Sequence, residues 1–72
     1  MNDEYLATDR FLRLWQVAQM ISLSKTKIYE MQANGAFPKS FRIAGSAVGW
    51  SEADIRSWMN AVVREAKTAQ ER

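Results

Sequence analysis

A chain of 72 residues is one domain at most, and this one has no cysteine and no histidine. That excludes disulfide staples, the usual zinc sites, thiol nucleophiles and the commonest general base. The net charge of +2 is small, but it is unevenly placed: residues 1–23 sum to −1, residues 24–50 to +3 and residues 51–72 to zero.

The core supply is rich for the length, with 47% hydrophobic residues, three Trp, three Phe, two Tyr and four Met. That matters because a domain of this size buries only about 60% of the surface its unfolded chain exposes. No apolar run approaches the roughly 20 residues of a membrane span. The acidic, polar start "MNDEYLATDR" is unlike a signal peptide. A cytoplasmic protein is expected.

Residues 1–10 read as a flexible arm, and Phe11–Leu14 as a short extended lead-in. Leu14, Val17, Ala18 and Ile21 then fall at i, i+3, i+4 and i+7, one face of a helix over "LWQVAQMIS". It has no good cap, so its start is placed near Trp15. Trp15 lies off that face, which suits a partner contact or a cover.

"LSKTKI" is a helix start. Ser24 can cap the first turn, and Leu23 and Ile28 have the spacing of a hydrophobic staple. Ile28 and Met31 face inward. Asn34-Gly35 closes the helix through a left-handed glycine. Leu23 alone is left between the first helical pattern and the Ser24 cap, so the two helices form a helix-turn-helix.

Pro38 then forces extended backbone. Phe41 and Ile43 alternate with Ser40 and Arg42, and Val48 and Trp50 flank Gly49. With "AGSA" between them these are the strands of a β-hairpin, Phe41 and Ile43 pointing in and Lys39 and Arg42 pointing out. Ser51 caps a third helix with Asp54 three residues on. Its apolar stripe runs through Ile55, Trp58, Met59, Val62, Val63 and Ala66. Trp50 and Trp58 are expected in the core. The fold class is mainly α with a small β-hairpin, in the order helix, helix, hairpin, helix. The domain spans residues 11–66, and residues 67–72 are expected to fray.

The carboxylates lie mostly at helix starts or chain ends, and Gly35, Gly45 and Gly49 serve turns and strands rather than a phosphate loop. No enzymatic site, metal site or cofactor is expected. Double-stranded DNA is the better-fitting partner. With Ile28 inward, the second helix turns Thr26, Tyr29, Glu30 and Ala33 outward, and Lys25 and Lys27 flank its leading end. The N-terminal residues of such a helix reach base edges in the major groove. Lys25 and Thr26 are the candidate base contacts. Lys27 and Tyr29 are candidate phosphate or groove contacts, although Tyr29 could instead lean on the core with its hydroxyl exposed. Lys39 and Arg42 are candidate backbone contacts from the hairpin.

From Arg13 to Met59 the chain resembles the AlpA family of phage and genomic-island regulators, through "LSKTKIY", "GAFPKSFRI" and "AVGWSEADIRSWM". The resemblance covers about residues 12–60 and extends to excisionases and MerR-type DNA-binding domains. It implies a small winged helix-turn-helix that regulates transcription. For some members it implies promotion of prophage or island excision. RNA polymerase or an integrase is then the expected protein partner. One such domain makes few base contacts, so a monomer that assembles cooperatively on repeated or inverted sites is expected. The competing reading is a protein-interaction module with the same fold and no direct DNA binding.

Overall fold

The computed structural model describes residues 9–70; most of the expected arm, residues 1–8, lies outside them. The elements are β1 (Phe11–Leu12), α1 (Leu14–Ile21), α2 (Lys25–Ala33), β2 (Phe41–Ala44), β3 (Ala47–Ser51) and α3 (Glu52–Gln70). The expected order of helices and hairpin holds. One strand was not foreseen: the Phe11–Leu12 lead-in pairs antiparallel with β3, giving a three-stranded sheet in the order β1-β3-β2.

Each boundary has a local cause. The α1 helix begins at Leu14, where the Arg13 N–H donates to Gln16 Oε1 at 2.8 Å. It ends at Ile21, because Ser22 takes the left-handed conformation at φ 61°, where its Cβ is strained. Ser22 is therefore part of the turn, and the connection is Ser22-Leu23 followed by the Ser24 cap. Ser24 Oγ accepts from the Lys27 N–H at 3.1 Å, as expected. Gly35 at φ +72° closes α2, with its N–H donating to Gln32 O and that of Ala36 to Met31 O. This paired closure is the Schellman arrangement.

The core joins all these elements. Val17 from α1, Ile28 from α2, Leu12 and Trp50 from the sheet, Phe37 from the loop after α2, and Ile55 from α3 are buried together. Trp50 is 1% exposed, and its Nε1 donates to Pro38 O at 3.1 Å. Gly49 lies in the central strand, where a Cβ would stand 2.6 Å from Ile43 Cδ1 and 3.0 Å from Leu12 O. The second contact is backbone, so a side chain there could not be accommodated by rotamer adjustment alone.

Three expectations are corrected. Phe41 and Ile43 do not point into the core; both are exposed. The register pairs Phe41 with Gly49 and Arg42 with Val48. Side chains alternate along β3, so Arg42 and Val48 share the face of the buried Trp50, while Phe41 and Ile43 take the opposite face. There Phe41 meets Phe11 across the small Gly49, ring centroids 6.4 Å apart. Trp58 is half-buried rather than interior. It packs edge-on against Phe37 at 4.9 Å and donates from Nε1 to Ala36 O at 3.1 Å. The α3 stripe is covered only in its first half: Ile55 is buried, whereas Val62, Val63 and Ala66 are exposed. Val62 and Val63 border an open depression with Met20, Ile21 and Leu23, and the helix continues beyond it. At 19 residues α3 runs about 28 Å, past the end of the small body it packs on. The helix extends to Gln70.

The start of α3 is tied down by residues read as the end of the arm. Asp9 Oδ2 accepts from Ser51 Oγ at 2.7 Å, and Asp9 Oδ1 accepts from the Ala53 N–H at 3.0 Å. Ser51 Oγ in turn accepts from the Asp54 N–H. Asp9 and Ser51 thus cap α3 together. The Ser51 hydroxyl above all, then the Ala53 N–H, holds the Asp9 carboxyl below its ordinary value of 3.8. Glu52 is held below its ordinary 4.5 by hydrogen bonds from Arg10 and Arg56.

Both groups have folded pKa values below their unfolded ones. The stability they add is present above the unfolded values and is lost as pH falls through the folded ones. Unfolding midpoints in urea are therefore expected to fall as the pH drops below 4.5. Asp9→Ala should lower stability at neutral pH by about 1 kcal/mol, the typical worth of a cap. It should also flatten the acid limb, and a limb as steep as that of the parent protein would count against the capping role of Asp9.

Candidate nucleic-acid interface

The α2 helix stands clear of the body on the face opposite Ile28. Lys25, Thr26, Lys27, Tyr29 and Glu30 are all exposed. The tyrosine does not lean on the core, since it is 56% exposed. Ser24 satisfies the Lys27 N–H with its side chain and the Ile28 N–H with its carbonyl. Among the described residues no partner appears for the N–H groups of Lys25 and Thr26. The positive end of the helix dipole and two lysines thus surround two free backbone donors, a setting that favours an anion.

Glu30 is the one acid on this face, and it has a partner. Its Oε1 lies 3.7 Å from Lys27 Nζ, with both side chains more than half exposed. A pair at that distance on a helix surface contributes only about 0.2–0.5 kcal/mol, so a phosphate can displace Glu30 from Lys27. Removing the acid strengthens the local positive field. Glu30→Gln is expected to raise affinity for every duplex by about threefold to tenfold at low salt, measured by fluorescence anisotropy. A loss confined to one base position would instead make Glu30 a base reader.

The hairpin candidates stand apart from this end. Lys39 lines a shallow depression with Gly35, Ala36, Phe37, Asp54 and Trp58, beside the closing end of α2. The nine-residue helix is about 13 Å long, and Lys25 begins its other end. Arg42 is exposed in the middle of β2, opposite Val48. The structure therefore gathers Lys25, Thr26, Lys27 and Tyr29 on one short helix and sets Lys39 and Arg42 on a second segment. The hairpin tip at Gly45 and Ser46 has no charge.

The sequence reading missed a charge network at the start of α3. Glu52 receives Arg10 Nε on one carboxylate oxygen and an Arg56 terminal nitrogen on the other, both at 2.8 Å. The i, i+4 spacing of Glu52 and Arg56 was visible in the sequence. The contact from Arg10, 42 residues away, left no such signal.

Among the described residues no group of His, Cys, Asp and Glu is placed to hold a metal ion. No helix among them is long and apolar enough to cross a membrane.

Comparison with known proteins fits this arrangement. Residues 10–64 match the family described as "Prophage CP4-57 regulatory protein (AlpA)". The chain is similar to uncharacterized protein ORF88 of Enterobacteria phage P4, with 33% identity over 54 residues. That alignment covers 75% of the chain and 61% of the phage protein, so the chain spans less than two thirds of its relative. No solved structure matches it. With the matched region running from the residue before β1 well into α3, the chain belongs to the AlpA family of prophage regulatory proteins.

Proposed function

We propose that the chain is a sequence-specific DNA-binding regulator of a prophage or genomic island. In this reading α2 enters the major groove with Lys25 and Thr26 at base edges. Lys27 and Tyr29 hold the groove wall or phosphates, and the neighbouring backbone is braced by Arg42 on β2 and Lys39 in the loop before it. The observation that carries the reading is the leading end of α2, where the helix N-terminus, two lysines and a small hydroxyl side chain meet on an exposed surface. Family membership supports a regulatory role.

Regulation would follow by contacting RNA polymerase at a promoter or by shaping attachment-site DNA for an integrase, as an excisionase does. The work would take place in the cytoplasm. The protein would bind as monomers that assemble cooperatively on repeated or inverted sites, because one small domain reads few bases. Footprinting across the element's promoter and attachment DNA tests the proposal. Protection of short repeated sites is expected, and with integrase added an excision assay separates the two roles. Protection nowhere above the non-specific background would leave the protein-interaction reading instead.

A further inference from the structure

A second surface lies on α1, β1 and α3 and uses no residue of α2 or of the hairpin. It is a groove of about 550 Å³ with Trp15 on its rim. Trp15 is 57% exposed, the highest value among the large apolar side chains described. Leu12, Met20 and Met59 form the apolar part of the lining. Arg10 and Arg56 stand over it on the two oxygens of Glu52, with their side chains 64% and 66% exposed. Arg10 uses only its Nε in that pair, and Arg56 only one terminal nitrogen. Each guanidinium therefore keeps several N–H donors facing solvent.

We propose that this groove docks an acidic segment of a partner protein. An apolar partner side chain would seat against Trp15 and the methionines, and its flanking carboxylates would take the free edges of Arg10 and Arg56. Two features carry the inference. Exposed Trp and Arg around a floor that mixes Met20 and Met59 with Gln16 and Gln19 is the composition of an interface anchor. Among the side chains that line the groove, two guanidinium groups face the single carboxylate of Glu52, and the nearby Asp9 is taken up by Ser51 and Ala53, so the free guanidinium edges are the donors left for a partner's carboxylates. DNA fits less well, because a phosphate backbone offers nothing apolar to this floor and would approach Glu52. Since the groove lies off α2 and the hairpin, a partner there and DNA could be held together.

The test uses the full ¹⁵N-labelled chain and two synthetic peptides, one with two leucines flanked by glutamates and one with lysines in place of the glutamates. Site-localised amide shifts around Trp15, Arg10 and Met59 are expected with the acidic peptide at about 1 mM or below, and none with the basic one. Trp15→Ala and Arg56→Gln should each weaken that binding by about tenfold or more, with duplex affinity unchanged and Trp15→Phe largely restoring binding. If Trp15→Ala melts the domain, Arg56→Gln carries the test alone, its side chain being largely solvent-exposed. Equal response to both peptides, no localised shift, or loss of duplex affinity in these variants would overturn the proposal.

Discussion

Trp50→Ala is expected to leave the domain unfolded at 37 °C. The indole is 1% exposed and sits where the sheet meets the helices. Truncating a buried Trp to Ala costs about 3–5 kcal/mol through lost burial and the cavity left behind. The change also removes the Nε1 hydrogen bond to Pro38 O, leaving that half-buried carbonyl to Gln32 Nε2 alone at 3.4 Å. A domain of this size holds on the order of 4–11 kcal/mol in total. Loss of the cooperative urea transition is the expected readout. A Trp50→Ala protein that still melts cooperatively near the parent midpoint would mean that the core is organised around something else. Trp58→Ala should cost less, about 2–3 kcal/mol, because that ring is already half-exposed and meets Phe37 edge-on.

The second large effect separates the residues on α2. Lys27→Ala should weaken binding on all duplexes alike and reduce the steepness of the salt dependence by about 1, the signature of a lost phosphate contact. Thr26→Ala should cost about 1–3 kcal/mol on the preferred site and relax selection at one base position. Both side chains are exposed, so neither change should alter the unfolding free energy by more than about 0.5 kcal/mol. Binding to a library of site variants distinguishes the two. A uniform loss from Thr26→Ala would move the reading face away from the first turn of α2.

What the sequence revealed follows the range of the interactions involved. Ser24 and Asn34-Gly35 were legible because capping and left-handed closure act within a few residues. Val17, Ile28 and Ile55 were legible because helical spacing marks their faces directly. The face taken by β2 was not. Alternation separates Phe41 and Ile43 from Arg42, but it does not say which set faces the core; the pairing of Phe41 with Gly49 decides that. The third strand and the Asp9 cap were hidden because their contacts join residues about 40 apart. In the candidate site, the exposed first turn of α2 was legible from the phase of Ile28. That Lys39 sits by the far end of α2 follows only from how the loop after Gly35 folds back against Trp58.

DNA binding by the leading end of α2, as proposed, requires phosphate contacts there. The most direct measurement is the salt dependence of binding to the element's own attachment and promoter DNA. About three to five phosphate contacts predict a slope of roughly −3 to −4 in log affinity against log salt, reduced by about 1 in Lys27→Ala. A flat dependence, or a slope that Lys27→Ala leaves untouched, would contradict it.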